Sequence, residues 1–144
     1  MHDNTPDNAF WQFADRVYRR PAVAEALLQL QDQHDLNINM LLVMWWLGRQ
    51  GIALGDTDIA GLHRAISRLD EDIIRPLRQI RRTVKQQADL AGIYYPLLKQ
   101  LELAFEQEAI TRLYRQSLTI NSSRRETSCI RHNLNAYVLT AAAS

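Results

Sequence analysis

The stretch Asn37–Gly48, NINMLLVMWWLG, carries no charge and two adjacent tryptophans, and nothing else in this 144-residue chain limits its fold as tightly. A helix that is apolar on every side must be enclosed by protein or by lipid. Length decides between the two. The 13 residues Leu36–Gly48 make roughly 20 Å of helix at ~1.5 Å per residue. A bilayer span needs ~20 apolar residues covering about 30 Å. Arg49 follows at once, between Gly48 and Gly51. The stretch is therefore expected to be a core helix, about residues 37–47, and no membrane span is expected.

The remaining chain supplies helices to surround it. Its length suits one domain, and a chain of this size buries roughly 68–70% of its unfolded surface. The expected fold is all-α: a compact single-domain bundle of six or seven helices around that central helix. A first helix runs over residues 5–20, capped by Thr5 or Asp7, with Phe10, Phe13, Ala14 and Val17 on one face. A second starts at Pro21 and points Val23, Leu27, Leu28 and Leu30 inward. Asp35 or Asn37 caps the central helix, and Asp56 caps the next one, 57–69. A break is expected near residue 70, where Asp70, Glu71 and Asp72 form an acidic first turn ahead of Pro76. A long helix follows over 92–116. Residues 1–6 read as a flexible N-terminus, 7–116 as the helical domain, and 117–144 as a polar segment with room for one more helix, about 124–141.

Functional signals are local, because the net charge is only +1. Five basic residues and no acidic one lie between residues 73 and 88. At 100° per residue, Arg75, Arg78, Arg82 and Lys85 form one stripe, with Arg81 at its edge, opposite Ile73, Leu77, Ile80 and Val84. Such a face suits contact with an acidic protein or nucleic acid; its plainer use is as a solvated surface balanced by Asp70, Glu71 and Asp72. A second candidate is a pocket for a small apolar ligand, lined by Trp11, Asn39, Trp45 and Trp46, although such aromatics more often fill a core. Asn39, among apolar neighbours, needs partners for its amide if buried. A third is the pair Glu108 and Arg112, four residues apart on one helix face: either that face is only partly covered there, or the two form a buried polar pair or a contact surface for a partner. Leu103, Ile110 and Tyr114 add a second apolar row to that helix and motivate a homodimer.

Catalytic and metal signatures are missing from the sequence. It has no Gly-rich phosphate loop, G-x-S-x-G or H-E-x-x-H. Glu102, Glu106 and Glu108 lack the Glu-x-x-His pattern of di-iron bundles. The single cysteine, Cys129, gives no disulfide framework or metal-cluster spacing. No cofactor or metal is expected, and the chain reads as a non-catalytic binding or regulatory module. The acidic, polar N-terminus lacks the basic and apolar regions of a secretory signal, and the single cysteine suits a reducing cytoplasm.

Several segments together resemble a family of small proteobacterial proteins of unknown function. They are a W-x-F opening (Trp11, Phe13), a Tyr-x-x-Pro step (Tyr18, Pro21), Leu30–Asp32, Asn39–Leu42 with Trp45 or Trp46, and Pro76–Arg82. Glu102, Leu103 and Glu106 complete the pattern, which covers about residues 9–116 and then fades. The resemblance implies a bacterial, cytoplasmic, helical protein and assigns no activity.

Overall fold

Capping and proline chemistry set the helix boundaries. The computed structural model describes residues 8–120 and 127–143. Helix α1 (Ala9–Tyr18) starts at Asn8, whose side-chain oxygen accepts the Trp11 N–H at 2.7 Å. The cap is thus Asn8; Thr5, Asp7 and the 1–6 segment lie outside the described residues. Pro21 opens α2 (Pro21–His34), where its missing N–H has no helical partner to lose. Asp35 ends α2 at φ 52°, in the left-handed region that Asp tolerates better than most residues. Asn37 caps α3 (Ile38–Arg49), accepting the Met40 N–H at 3.1 Å. At α4 (Asp56–Leu69) the cap is Gly55 and not Asp56; the Gly55 N–H donates to Asp58 Oδ2 at 3.1 Å.

The expected break near residue 70 is instead a π turn, Asp70–Ile74, leading without interruption into α5 (Arg75–Lys85). Pro76 cannot donate to the carbonyl four residues back. The helix widens there, and the Arg75 N–H reaches Asp70 O, five residues back. Helix α6 (Ala88–Ser117) follows after Gln86 and Gln87 and carries Pro96 inside it. It begins four residues before its expected start.

The core collects around α3. Met40, Leu41, Leu42, Val43, Met44 and Leu47 are all buried there, packed against Phe10, Phe13, Leu62, Ile66 and Leu113. At roughly 1.5–3 kcal/mol per large apolar side chain, those six residues contribute on the order of 10 kcal/mol before entropy is counted. Helix α2 buries a narrower strip than its sequence suggests. Leu27 is buried and Val23 half-buried, but Leu28 and Leu30 are 46% and 38% exposed. The reason is position: α2 packs chiefly along α1 and α3, at the edge of the bundle.

The polar C-terminal segment closes the bundle through α7 (Ile130–Ala143), which lies along α3. Gly48 permits the close approach: a Cβ there would sit 2.6 Å from Ile130 Cα. The Cys129 N–H donates to Gly48 O at 2.8 Å. Asn133, fully buried, accepts the Leu54 N–H at 2.8 Å and donates to Met44 O at 3.2 Å and Ile52 O at 2.8 Å. Tyr137 OH accepts the Asn37 N–H at 3.1 Å. No described helix is long and apolar enough to cross a membrane.

Candidate functional site

The α5–α6 hairpin brings the basic segment against two glutamates. Arg78 lies nine residues before Gln87 and Glu102 fifteen after it. Helical side chains lean toward their own N-terminus. Arg78 therefore leans away from the turn and Glu102 toward it, which closes the offset. The Arg78 Nε donates to Glu102 Oε1 at 3.0 Å and its Nη2 to Glu106 Oε1 at 2.8 Å. Arg81 Nε bonds the other Glu102 oxygen. Asn39, reaching from α3, donates through Nδ2 to Glu106 Oε2 at 2.6 Å. Its burial is thereby satisfied, and the core helix is tied to the hairpin.

Electrostatics differ along this cluster. Burial pushes the Glu106 carboxyl above its ordinary value, opposed by the Arg78 charge and the Asn39 hydrogen bond and aided by Asp70 and Glu102. The Tyr18 phenol is also raised, first by burial and then by the Glu106 charge. Tyr95 gathers three cations: Lys85 and Lys99 each lie 5.5 Å from its ring centre and Arg81 6.0 Å. Outside the cluster, Arg75 pairs with Asp70 at 2.8 Å and Asp35 at 3.4 Å.

The ion pairs form one end of a cleft of about 510 Å³. Trp11, Ala14 and Tyr18 of α1 make one wall, and Ile38, Asn39 and Leu42 of α3 the floor. Leu28 of α2 and Leu103 and Ile110 of α6 complete the apolar lining, while Arg78, Arg81, Lys99, Glu102 and Glu106 supply the polar end. Two features that looked separate in the sequence, the basic segment and the Trp11–Asn39 lining, thus meet in one place.

Other candidate residues fall elsewhere. Trp45 and Trp46 do not line this cleft. Trp45 packs edge-on against Phe13 at 5.5 Å, and Trp46 stacks near Phe10 at 5.3 Å and Tyr114 at 6.1 Å. They are core-packing aromatics because consecutive positions on α3 are 100° apart and both sides of that helix are covered. Glu108 and Arg112 do pair, at 3.1 Å, but their side chains are 46% and 43% exposed. They form a surface bridge and not a buried pair, since that face of α6 points away from the bundle. Of the row Leu103, Ile110 and Tyr114, Leu103 and Ile110 line the cleft and Tyr114 packs on Trp46, so it faces this molecule's own helices. Arg82 and Lys85 stay on the exposed side of α5.

Glu102 and Glu106 are the site residues that sequence reasoning undervalued. Their signal was the i,i+4 spacing on α6 set against Arg78 and Arg81 at i,i+3 on α5. Neither spacing identifies its counterpart until the hairpin is formed. Both carboxylates face guanidinium groups, which occupies the oxygens a metal would need. Among the described residues no three His, Cys, Asp or Glu side chains converge on a metal position.

No curated protein and no solved structure matches this chain. A family model described as "Protein of unknown function (DUF2390)" matches residues 9–113, a span that takes in α1 to α5, most of α6 and every residue of the cleft, and the chain belongs to that family.

Proposed function

We propose that this protein is a non-catalytic binding module whose site is the cleft between α1, α3 and the α5–α6 hairpin. Its ligand is a small amphipathic molecule. The apolar body lies against Trp11, Leu42 and Leu103, and an acceptor-bearing head meets Arg78, Arg81 and Lys99. One observation carries this reading: an apolar-walled cleft of about 510 Å³ ends in a cluster of partnered charges. Small-molecule sites commonly measure ~300–1,000 Å³ and combine apolar walls with a few converging polar groups. A guanidinium has five N–H donors. Glu102 and Glu106 engage two from Arg78, leaving others for a ligand's acceptor.

The alternative, contact with an acidic protein or nucleic acid through residues 75–85, draws on Arg82 and Lys85 at the exposed side. Phosphates or carboxylates of such a partner would compete with Glu102 and Glu106 for Arg78 and Arg81. The two readings separate by titration with 1-anilinonaphthalene-8-sulfonate, which has an apolar body and an anionic head. Saturable binding should occur and be lost in Leu103→Trp, which fills the cleft from a residue 54% exposed. Probe binding that Leu103→Trp leaves intact would remove the cleft as the site. A basic-face partner would instead show affinity falling by ~0.9 log units per log unit of salt for each duplex phosphate neutralised.

A further inference from the structure

The α5–α6 hairpin has two flanks of opposite character. Counting 100° per residue, Arg78 and Arg81 mark one flank of α5 and Ile80 the other, with Ile73 exposed on the preceding π turn. Half-buried Leu77 and Val84 lie between them, toward α6. On α6, Glu102 and Glu106 mark the cleft flank, and Leu97 and Leu101 the far one, with half-buried Leu98 and Phe105 between. The hairpin therefore turns its charged flank into the cleft and leaves an apolar flank facing outward. Ile73, Ile80, Ile93, Tyr94, Leu97 and Leu101 are 40%, 52%, 66%, 49%, 57% and 47% exposed. No residue of α6 from Ala88 to Leu101 is fully buried.

The outward face of α6 has a coiled-coil period. Leu90, Tyr94, Leu97, Leu101, Ala104 and Glu108 follow one another at alternating steps of four and three residues. A 3.5-residue seam is the pattern that seats one helix against another.

We propose that this flank is the interface of a homodimer, in which α6 of one copy packs antiparallel against α6 of a second copy. The seam fits itself in that direction. With Leu97 opposite Leu101 of the second copy, bulky Tyr94 meets small Ala104, and Leu90 lies over the stem of Glu108. A parallel pairing would instead stack tyrosine on tyrosine and set Glu108 against Glu108, like charges facing each other. The area is also sufficient. The six exposed side chains offer on the order of 400 Å² of apolar surface per copy, taking such side chains at roughly 100–200 Å² each. With the polar share that interfaces carry, two copies bury about 1,200–1,300 Å², the lower end of a stable interface. The assembly is an antiparallel four-helix arrangement of two hairpins, with both clefts facing outward.

Light scattering during size-exclusion chromatography tests this on the full chain. At high micromolar concentration the protein should show twice its 16.7 kDa chain mass. Leu97→Glu with Leu101→Glu should return it to the single-chain mass with an unchanged helical circular dichroism spectrum, because both side chains are about half exposed. A second arm tests the direction. Gln100 is exposed beside the seam, next to the two-fold axis. Gln100→Cys should form a disulfide-linked dimer on mild oxidation, whereas Glu108→Cys should not; the native Cys129 is buried, and the parent chain is the control. A single-chain mass for the parent protein overturns the proposal. So does a dimer that survives the paired glutamates, or cross-linking at 108 in place of 100.

Discussion

Glu106 shows how one residue's neighbours set its protonation. Its carboxyl is raised because burial outweighs Arg78 and Asn39. A group whose folded-state value is raised binds its proton more tightly in the folded than in the unfolded chain. Stability from this carboxyl is therefore complete below the ordinary glutamate value and is lost as pH rises through the raised value. Glu106→Gln keeps an oxygen for Asn39 and removes the titration. Its melting temperature should gain on that of the parent protein as pH increases from the ordinary glutamate range upward, measured by thermal denaturation at a series of pH values. A parent protein that gains on the variant instead would mean that Arg78 and Asn39 dominate over burial. Little of this was legible in the sequence. Asn39 stood out as a polar residue in an apolar run, and a buried amide must find partners. That its partner is a glutamate 67 positions later depends on where α6 lies over α3.

At the scale of elements, the informative contact is α7 on α3. Gly48 sits in a helix, where glycine costs about 1 kcal/mol relative to alanine, and there it gives the Ile130 backbone room. Gly48→Ala would place a Cβ 2.6 Å from Ile130 Cα. We expect a loss of about 1–3 kcal/mol in urea denaturation, together with faster amide exchange over residues 130–137. Unchanged exchange in α7 would show that the helix shifts to accept the methyl. Several helix boundaries were written in local chemistry: Pro21, Asn37 and Gly51, at φ 78°, act where their short-range preferences place them, whereas Gly48 lies inside the helix it was expected to end. The π turn was not readable, because Pro76 permits either a new helix or a widened one. Packing of Ile74 into the core selects the second.

Across the whole molecule, burial is uneven. Helix α3 is surrounded, while no residue in the first half of α6, from Ala88 to Leu101, is fully buried. Opening free energies follow such differences in packing. Hydrogen exchange should be slowest in residues 40–47 and fastest, among the long helices, in residues 88–101. In the Leu97→Glu, Leu101→Glu variant that hairpin should exchange faster than in the parent chain at high concentration, where dimer contact protects it. Equal protection of α3 and the start of α6 in the monomeric variant would contradict the unevenness.

The sequence by itself determined the class and the centre. Twelve uncharged residues too short to span a bilayer must form a core helix, and periodic apolar faces on either side must cover it. These are properties of single segments, so they survive without knowing any partner. The cleft belongs to the tertiary structure. The basic stripe on α5 looked outward because a helical wheel shows which residues share a face and not which face is covered. Only the hairpin, with Glu102 and Glu106 drawing Arg78 and Arg81 inward, decided that these two charges would be enclosed and the isoleucines left outside.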